Sequence, residues 1–272
     1  MTSVAGMPWN PFSSLTIREK SNISQLVVID SDFDVLEQVD QAWADRGITL
    51  ERRNIYTDIY MEDLSHELMK DMESFDSVSC LQEHLDMHLF ESTSSLVNSL
   101  RHIYNLLKPG GYFFGMIFDG SEIWNKCLKA VNGVVTTQGG LATVNMYPDE
   151  LKKPDYSREF TNVKYEIKID TPSPLTCYLP HFPTLIAEAR KLGLEMIEIT
   201  NCNEFLEDHK LSHPDLMPDI GTAKNAMAGP QREVLALYCI FVFKKTSWEG
   251  RHDEKRSSLC HQKGGMHKLF IT

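Results

Sequence analysis

The segment Ser92–Leu107 constrains the fold most. Leu96, Leu100, Ile103, Tyr104 and Leu107 recur three and four residues apart, so on a helix they make one apolar stripe. Lys108-Pro109-Gly110-Gly111 then ends the helix. The lysine suits the negative end of the helix dipole, and the proline and glycines cannot continue it. Tyr112–Phe118, almost wholly apolar, follows as a strand, and Phe75–Cys80 (FDSVSC) reads as a strand before it. Strands alternating with helices in this way argue for a parallel, doubly wound sheet.

The flanking segments extend that pattern. Gln25–Asp30 (QLVVID) is a short apolar run suited to a buried strand, and Arg53–Tyr56 is a second strand candidate. Asp34–Trp43 and Leu64–Met72 have helical spacing, as does Glu122–Val131. Residues 133–158 are polar, with a Gly-Gly pair and two prolines, and read as an excursion from the pattern. Beyond it, Val163–Ile169 alternates as a half-exposed strand, Phe182–Leu192 is a helix closed by Gly193, and Leu194–Thr200 is a strand. Asn203–Asp208 reads as a short helix and Val234–Phe243 as a long apolar strand. No convincing helix separates the last two strands, which fits an antiparallel pair at the sheet edge. Residues 1–22 read as a loose arm, 23–245 as one domain, and 246–272 as a charged tail expected to be disordered.

Composition narrows the partners. A net charge of −11 argues against a non-specific grip on nucleic acid, which requires lysine and arginine to neutralise phosphates. A single nucleotide held by stacking and hydrogen bonds remains compatible with it. The cysteines, at 80, 127, 177, 202, 239 and 260, include no CxxC pair, so neither a metal site nor a redox pair is expected. No run is long and apolar enough to span a bilayer, and no membrane partner is expected.

The stretch Phe75–Trp124, with FDSVSC, then HLFES, then LLKPGGYFFGMIFDGSEIW, resembles the mRNA cap guanine-N7 methyltransferase family, and within it a divergent plant-type branch. Thr176–Asp208 (TCYLPHFPTLIAEARKLGLEMIEITNCNEFLED) is similar to the family's cap-pocket helix and strand, and Arg232–Lys245 to its final strand. The resemblance implies a Rossmann-like α/β fold, a mostly parallel sheet with an antiparallel edge strand, and S-adenosylmethionine as cofactor. It also implies a capped RNA 5′ end as substrate, a nuclear location, and a protein partner from the capping machinery.

Residue by residue, the resemblance makes Asp30 the acid that binds the ribose hydroxyls of the cofactor. Asp58 becomes the acid that accepts from the adenine amino group, and Gln82 and His88 line the cofactor. Against each stands a plainer reading: a surface acid for Asp30, a helix N-cap for Asp58. Phe118, Cys177 and Tyr238 fall at cap-binding positions, Tyr238 as an aromatic ring for the base, with a packed core residue as its plainer alternative.

Three features depart from the family pattern. There is no glycine between Met7 and Arg46, where the family has a first strand and a glycine-rich turn, so that strand and turn are expected to be missing. Cys177 stands where the family has a glutamate that reads the guanine edge, and each lost charged hydrogen bond costs about 1.5–3 kcal/mol. Phe118 stands where the family has a proline. These departures support a second reading, a degenerate methyltransferase fold that binds an active cap enzyme or RNA. A third is a small-molecule methyltransferase with a rebuilt acceptor pocket. Methyl transfer to guanine N7 needs positioning rather than a general base, so no catalytic residue is assigned.

Overall fold

A computed structural model describes residues 3–7, 25–30, 41, 51–54, 74–81, 89–152, 162–169, 173–209 and 229–246, with the backbone alone at 3–7, 25–30, 51–54 and 79–81. The strands are β1 (Ser3–Met7), β2 (Gln25–Asp30), β3 (Glu51–Asn54), β4 (Phe75–Leu81), β5 (Leu107–Phe118), β6 (Val134–Thr136), β7 (Ala142–Met146), β8 (Lys164–Ile169), β9 (Leu175–Tyr178), β10 (Leu194–Asn201) and β11 (Tyr238–Lys245). The helices are α1 (Thr93–Leu106), α2 (Gly120–Lys129), α3 (Phe182–Leu192), α4 (Cys202–His209) and α5 (Pro230–Leu235).

Seven strands form one sheet in the order β10-β11-β5-β4-β1-β2-β3. From β3 to β5 the neighbours are parallel, while β11 runs antiparallel to both β5 and β10. The expected late antiparallel pair is therefore present at the edge.

The expectation that the first strand is missing is corrected here. Ser3–Met7, inside the segment read as an arm, is a strand at the heart of the sheet, with β2 on one side and β4 on the other. A parallel sheet of this order needs an element between β2 and β4, and this short run of small residues fills the place. Residues 8–24, which contain no glycine, lie outside the described residues, as do Asp58, Gln82, His88 and most of the two helical patterns at 34–43 and 64–72.

The pleat sends alternate residues of β5 and β11 to opposite faces. Phe113, Ile117, Cys239, Phe241 and Phe243 join a core with Leu96, Leu100 and Ile103 of α1 and Leu185 and Ala189 of α3. Phe113 meets Phe241 at 4.8 Å between ring centroids. Phe118 and Tyr238 go the other way, into a second core with Ile123, Trp124 and Cys127 of α2.

That second core also holds the inner face of a smaller sheet. The segment 133–158, expected as an excursion, supplies β6 and β7, which join β8, the strand expected at 163–169, and β9 in an antiparallel meander whose buried residues include Val144, Met146, Tyr165, Ile167 and Cys177. Two further differences are local. The strand begins at Leu107 rather than Tyr112, with a register shift opposite Phe75/Ser77 that absorbs Lys108–Gly111. A Cβ at Gly111 would lie 2.9 Å from the carbonyls of both Asp76 and Lys108, so only glycine lets the strands approach here. At the other end, Val234 and Leu235 of the late apolar region 234–243 belong to α5, started by Pro230 in the first turn, and β11 begins only at Tyr238.

Candidate functional site

Parallel strands present their carboxyl ends on one side, and doubly wound sheets hold ligands along that edge. Met7, Asp30, Asn54, Leu81 and Phe118 are the last residues of β1 to β5. Because β11 runs antiparallel to β5, its first residue, Tyr238, stands at the same edge, and so does Asn201 at the end of β10.

The edge has two parts. On β2, Asp30 lies two residues past Val28, which is in register with Gly6, so it sits one residue beyond the end of β1. Three strand spacings, roughly 14 Å, separate β2 from β5. An acidic residue, Asp30, thus stands to one side of the ends of β1 and β4.

The second part is aromatic. Phe118 and Tyr238 are register partners, and their rings stack at 4.7 Å with 27° between planes. Tyr165 meets Phe118 edge-on at 6.2 Å. Cys177 pairs with Tyr165 across β8 and β9 and is buried beside them. The structure thus brings together Phe118, Cys177 and Tyr238, residues far apart in sequence. It also closes them: their exposures are 1%, 0% and 5%.

A polar clamp pins this corner. The Asp119 backbone N–H donates to Leu237 O at 2.7 Å. Its carboxylate caps α2 by accepting from Glu122 N at 3.0 Å, and accepts from Asn201 Nδ2 at 3.0 Å. The same Asn201 amide donates to Ala236 O at 2.9 Å. The ends of β5 and β10 and the start of β11 are therefore tied through Asp119 and Asn201. Burial pushes the nearby Cys202 thiol up to about 12, with Asp119 adding to the effect, and raises Cys239, which also hydrogen-bonds Asp119. Both are neutral thiols rather than nucleophiles. Sequence reasoning missed Asp119 and Asn201. The signal for the first was legible: Asp119-x-x-Glu122 after an apolar strand is a helix-start pattern. Nothing local marks Asn201.

A family model described as the mRNA (guanine-N(7))-methyltransferase domain matches residues 14–246. The chain belongs to that family. The match spans β2 to β11 and begins after β1, the strand that the sequence pattern had left out. Among relatives, mRNA cap guanine-N(7) methyltransferase 2 of Arabidopsis thaliana is 30% identical over 242 residues, covering 84% of this chain and 67% of the relative. The Oryza sativa subsp. japonica protein of the same name is 29% identical over 239 residues, covering 83% and 68%. Among solved structures, an S-adenosylmethionine-dependent methyltransferase from Clostridium acetobutylicum ATCC 824 superposes with a TM-score of 0.53 at 9% identity, covering 90% of this chain and 85% of the other. One from Listeria monocytogenes gives 0.52 at 13%, covering 90% and 92%. At such identities the likeness is one of fold, and the fold is the Rossmann-like methyltransferase fold. Among the described residues no group of three His, Cys, Asp or Glu side chains could hold a metal ion.

Proposed function

We propose that the chain is an S-adenosylmethionine-dependent methyltransferase acting on the N7 of the mRNA cap guanine. The observation that carries this is the family match over residues 14–246, which takes in every strand of the carboxyl edge except β1. When bound, S-adenosylmethionine supplies an electrophilic methyl group, and guanine N7 is already a nucleophile, so the protein's work is to align the two and exclude water. In this reading Asp30 accepts from the ribose hydroxyls and Asp58 from the adenine amino group. Gln82 and His88 line the cofactor, and Tyr238 supplies an aromatic face for the base. The small sheet and α2 shield that end from solvent.

The test is transfer of labelled methyl from S-adenosylmethionine to RNA capped with unmethylated guanine, followed by digestion to the cap dinucleotide. Label in 7-methylguanine supports the reading; label elsewhere, or none, sinks it. A second reading, a fold that binds but does not turn over, is favoured by one observation: a wholly buried thiol, Cys177, stands at the position expected to read the guanine edge. Binding of capped RNA without transfer would establish it. The same reading places the chain in the nucleus with a partner from the capping machinery. A fluorescent fusion confined to the cytoplasm would contradict the first, and failure to co-purify with other capping enzymes the second.

A further inference from the structure

Phe118 and Tyr238 close β5 and open β11 as register partners, at the edge where sheets of this kind hold ligands. Their rings are parallel to within 27° and 4.7 Å apart, the arrangement in which an aromatic face holds another flat π system. Tyr165 packs edge-on against Phe118 from the small sheet. The stacking face is therefore already taken, by a side chain of the protein itself.

The backbone around this pair cannot easily part to admit a base. Asp119 is hydrogen-bonded to Leu237 through its N–H and to Asn201 through its carboxylate, and Asn201 holds Ala236 in turn. The strand ends on both sides of the rings are thus fixed. Vacating the face therefore requires the Phe118 side chain to turn about its own bonds, against the packing of Tyr165 on its edge.

We infer that Phe118 is a built-in competitor for the base-stacking face of Tyr238, so that the side chain at position 118 sets how tightly this chain holds a cap guanine. The inference rests on the proposed function, in which Tyr238 faces the acceptor base. A ligand that binds only the ring-out state has its affinity reduced by the fraction of molecules in that state. A ring-in state favoured tenfold therefore weakens binding about tenfold, and removing the ring restores it.

The experiment is calorimetric titration of the unmethylated cap dinucleotide GpppG into the wild type, Phe118→Ala, Phe118→Leu and the double variant Phe118→Ala/Tyr238→Leu. Thermal melting of each variant checks that it is folded. The inference predicts that Phe118→Ala binds about tenfold more tightly than wild type, that Phe118→Leu falls between them, and that the double variant loses the gain. Affinity that is unchanged or weaker in both single variants overturns it, as does a gain that survives loss of the Tyr238 ring. Phe118→Leu keeps the core filled, so it decides the matter should Phe118→Ala fail to fold. S-adenosylmethionine titrated into the same samples reports separately on the parent reading: a wild type that binds no cofactor counts against the methyltransferase assignment, whatever the order of the cap affinities.

Discussion

Lys245 shows how single residues hold this fold together. It lies on the face of β11 that meets α1, and its ammonium donates to the carbonyls of Tyr104 and Leu107, each at 2.7 Å. It also sits over the Tyr104 ring, 3.8 Å from the centroid. A cation at the last turn of a helix satisfies carbonyls that have no partner within the helix and opposes the helix dipole. Burial lowers its pKa, and its two charged hydrogen bonds tie the end of β11 to the end of α1. Lys245→Met keeps the stem and removes the donors, and should destabilise the chain by about 2–3 kcal/mol in urea unfolding. The cysteines give a pH prediction at the same scale. Burial holds Cys127 at about 11 and Cys202 at about 12 in the folded chain, against about 9 for an ordinary thiol. The folded state thus keeps protons that the unfolded state releases. Stability owed to these thiols is intact below about pH 9 and falls as pH rises from 9 towards 12. The difference in urea midpoint between wild type and Cys202→Ala should hold steady up to about pH 8 and then shift steadily against the wild type up to about pH 11. Parallel curves would contradict the assignment.

At the scale of elements, the Lys-Pro-Gly-Gly junction carries the tightest geometric demand. Gly111 lets β5 approach β4 where the register shifts, and a methyl group there would press on two backbone carbonyls that cannot move aside cheaply. Gly111→Ala should cost about 1–3 kcal/mol of stability, the usual range for overpacking, measured as a fall in urea midpoint. This junction was legible in the sequence because its signals are local: an apolar stripe, then residues that stop a helix. Gln25–Asp30 and Phe182–Leu192 were legible for the same reason, and their ends fall as expected. Where signals are not local, the reading failed. Ser3–Met7 has small side chains and no helical or strand period long enough to notice. It is a strand because β2 and β4 flank it, and tertiary context decides strands more than intrinsic preference. The apolar region 234–243 was read as one strand because an apolar run cannot by itself tell strand from helix, and Pro230 settles its start as helix. The polar stretch 133–158 holds β6 and β7 for a comparable reason: its buried residues, Val144 and Met146 among them, pack against another part of the chain.

For the whole molecule, the order of the strands makes one demand that the sequence conceals. Among the described strands, β1 is what links β2 and β3 through the ladder to β4 and the rest of the sheet. Deleting residues 1–7 should therefore abolish cooperative unfolding; a deletion variant with a wild-type urea transition would show that the strand is dispensable. The candidate site was legible as residue types and family likeness, not as geometry. Asp30 was placed at a strand end and stands there, while the clamp of Asp119 and Asn201 and the closed stack of Phe118 on Tyr238 arise only when β10, β11 and the small sheet assemble. We propose that this methyltransferase domain holds S-adenosylmethionine across the ends of β1, β2 and β4, in a chain with no glycine between Met7 and Arg46. The most direct measurement is calorimetric titration of S-adenosylmethionine into the purified chain, beside Asp30→Ala. Saturable binding is expected, weakened in Asp30→Ala about 10- to 100-fold, the worth of charged hydrogen bonds of about 1.5–3 kcal/mol. No binding to the wild type at millimolar cofactor would contradict it.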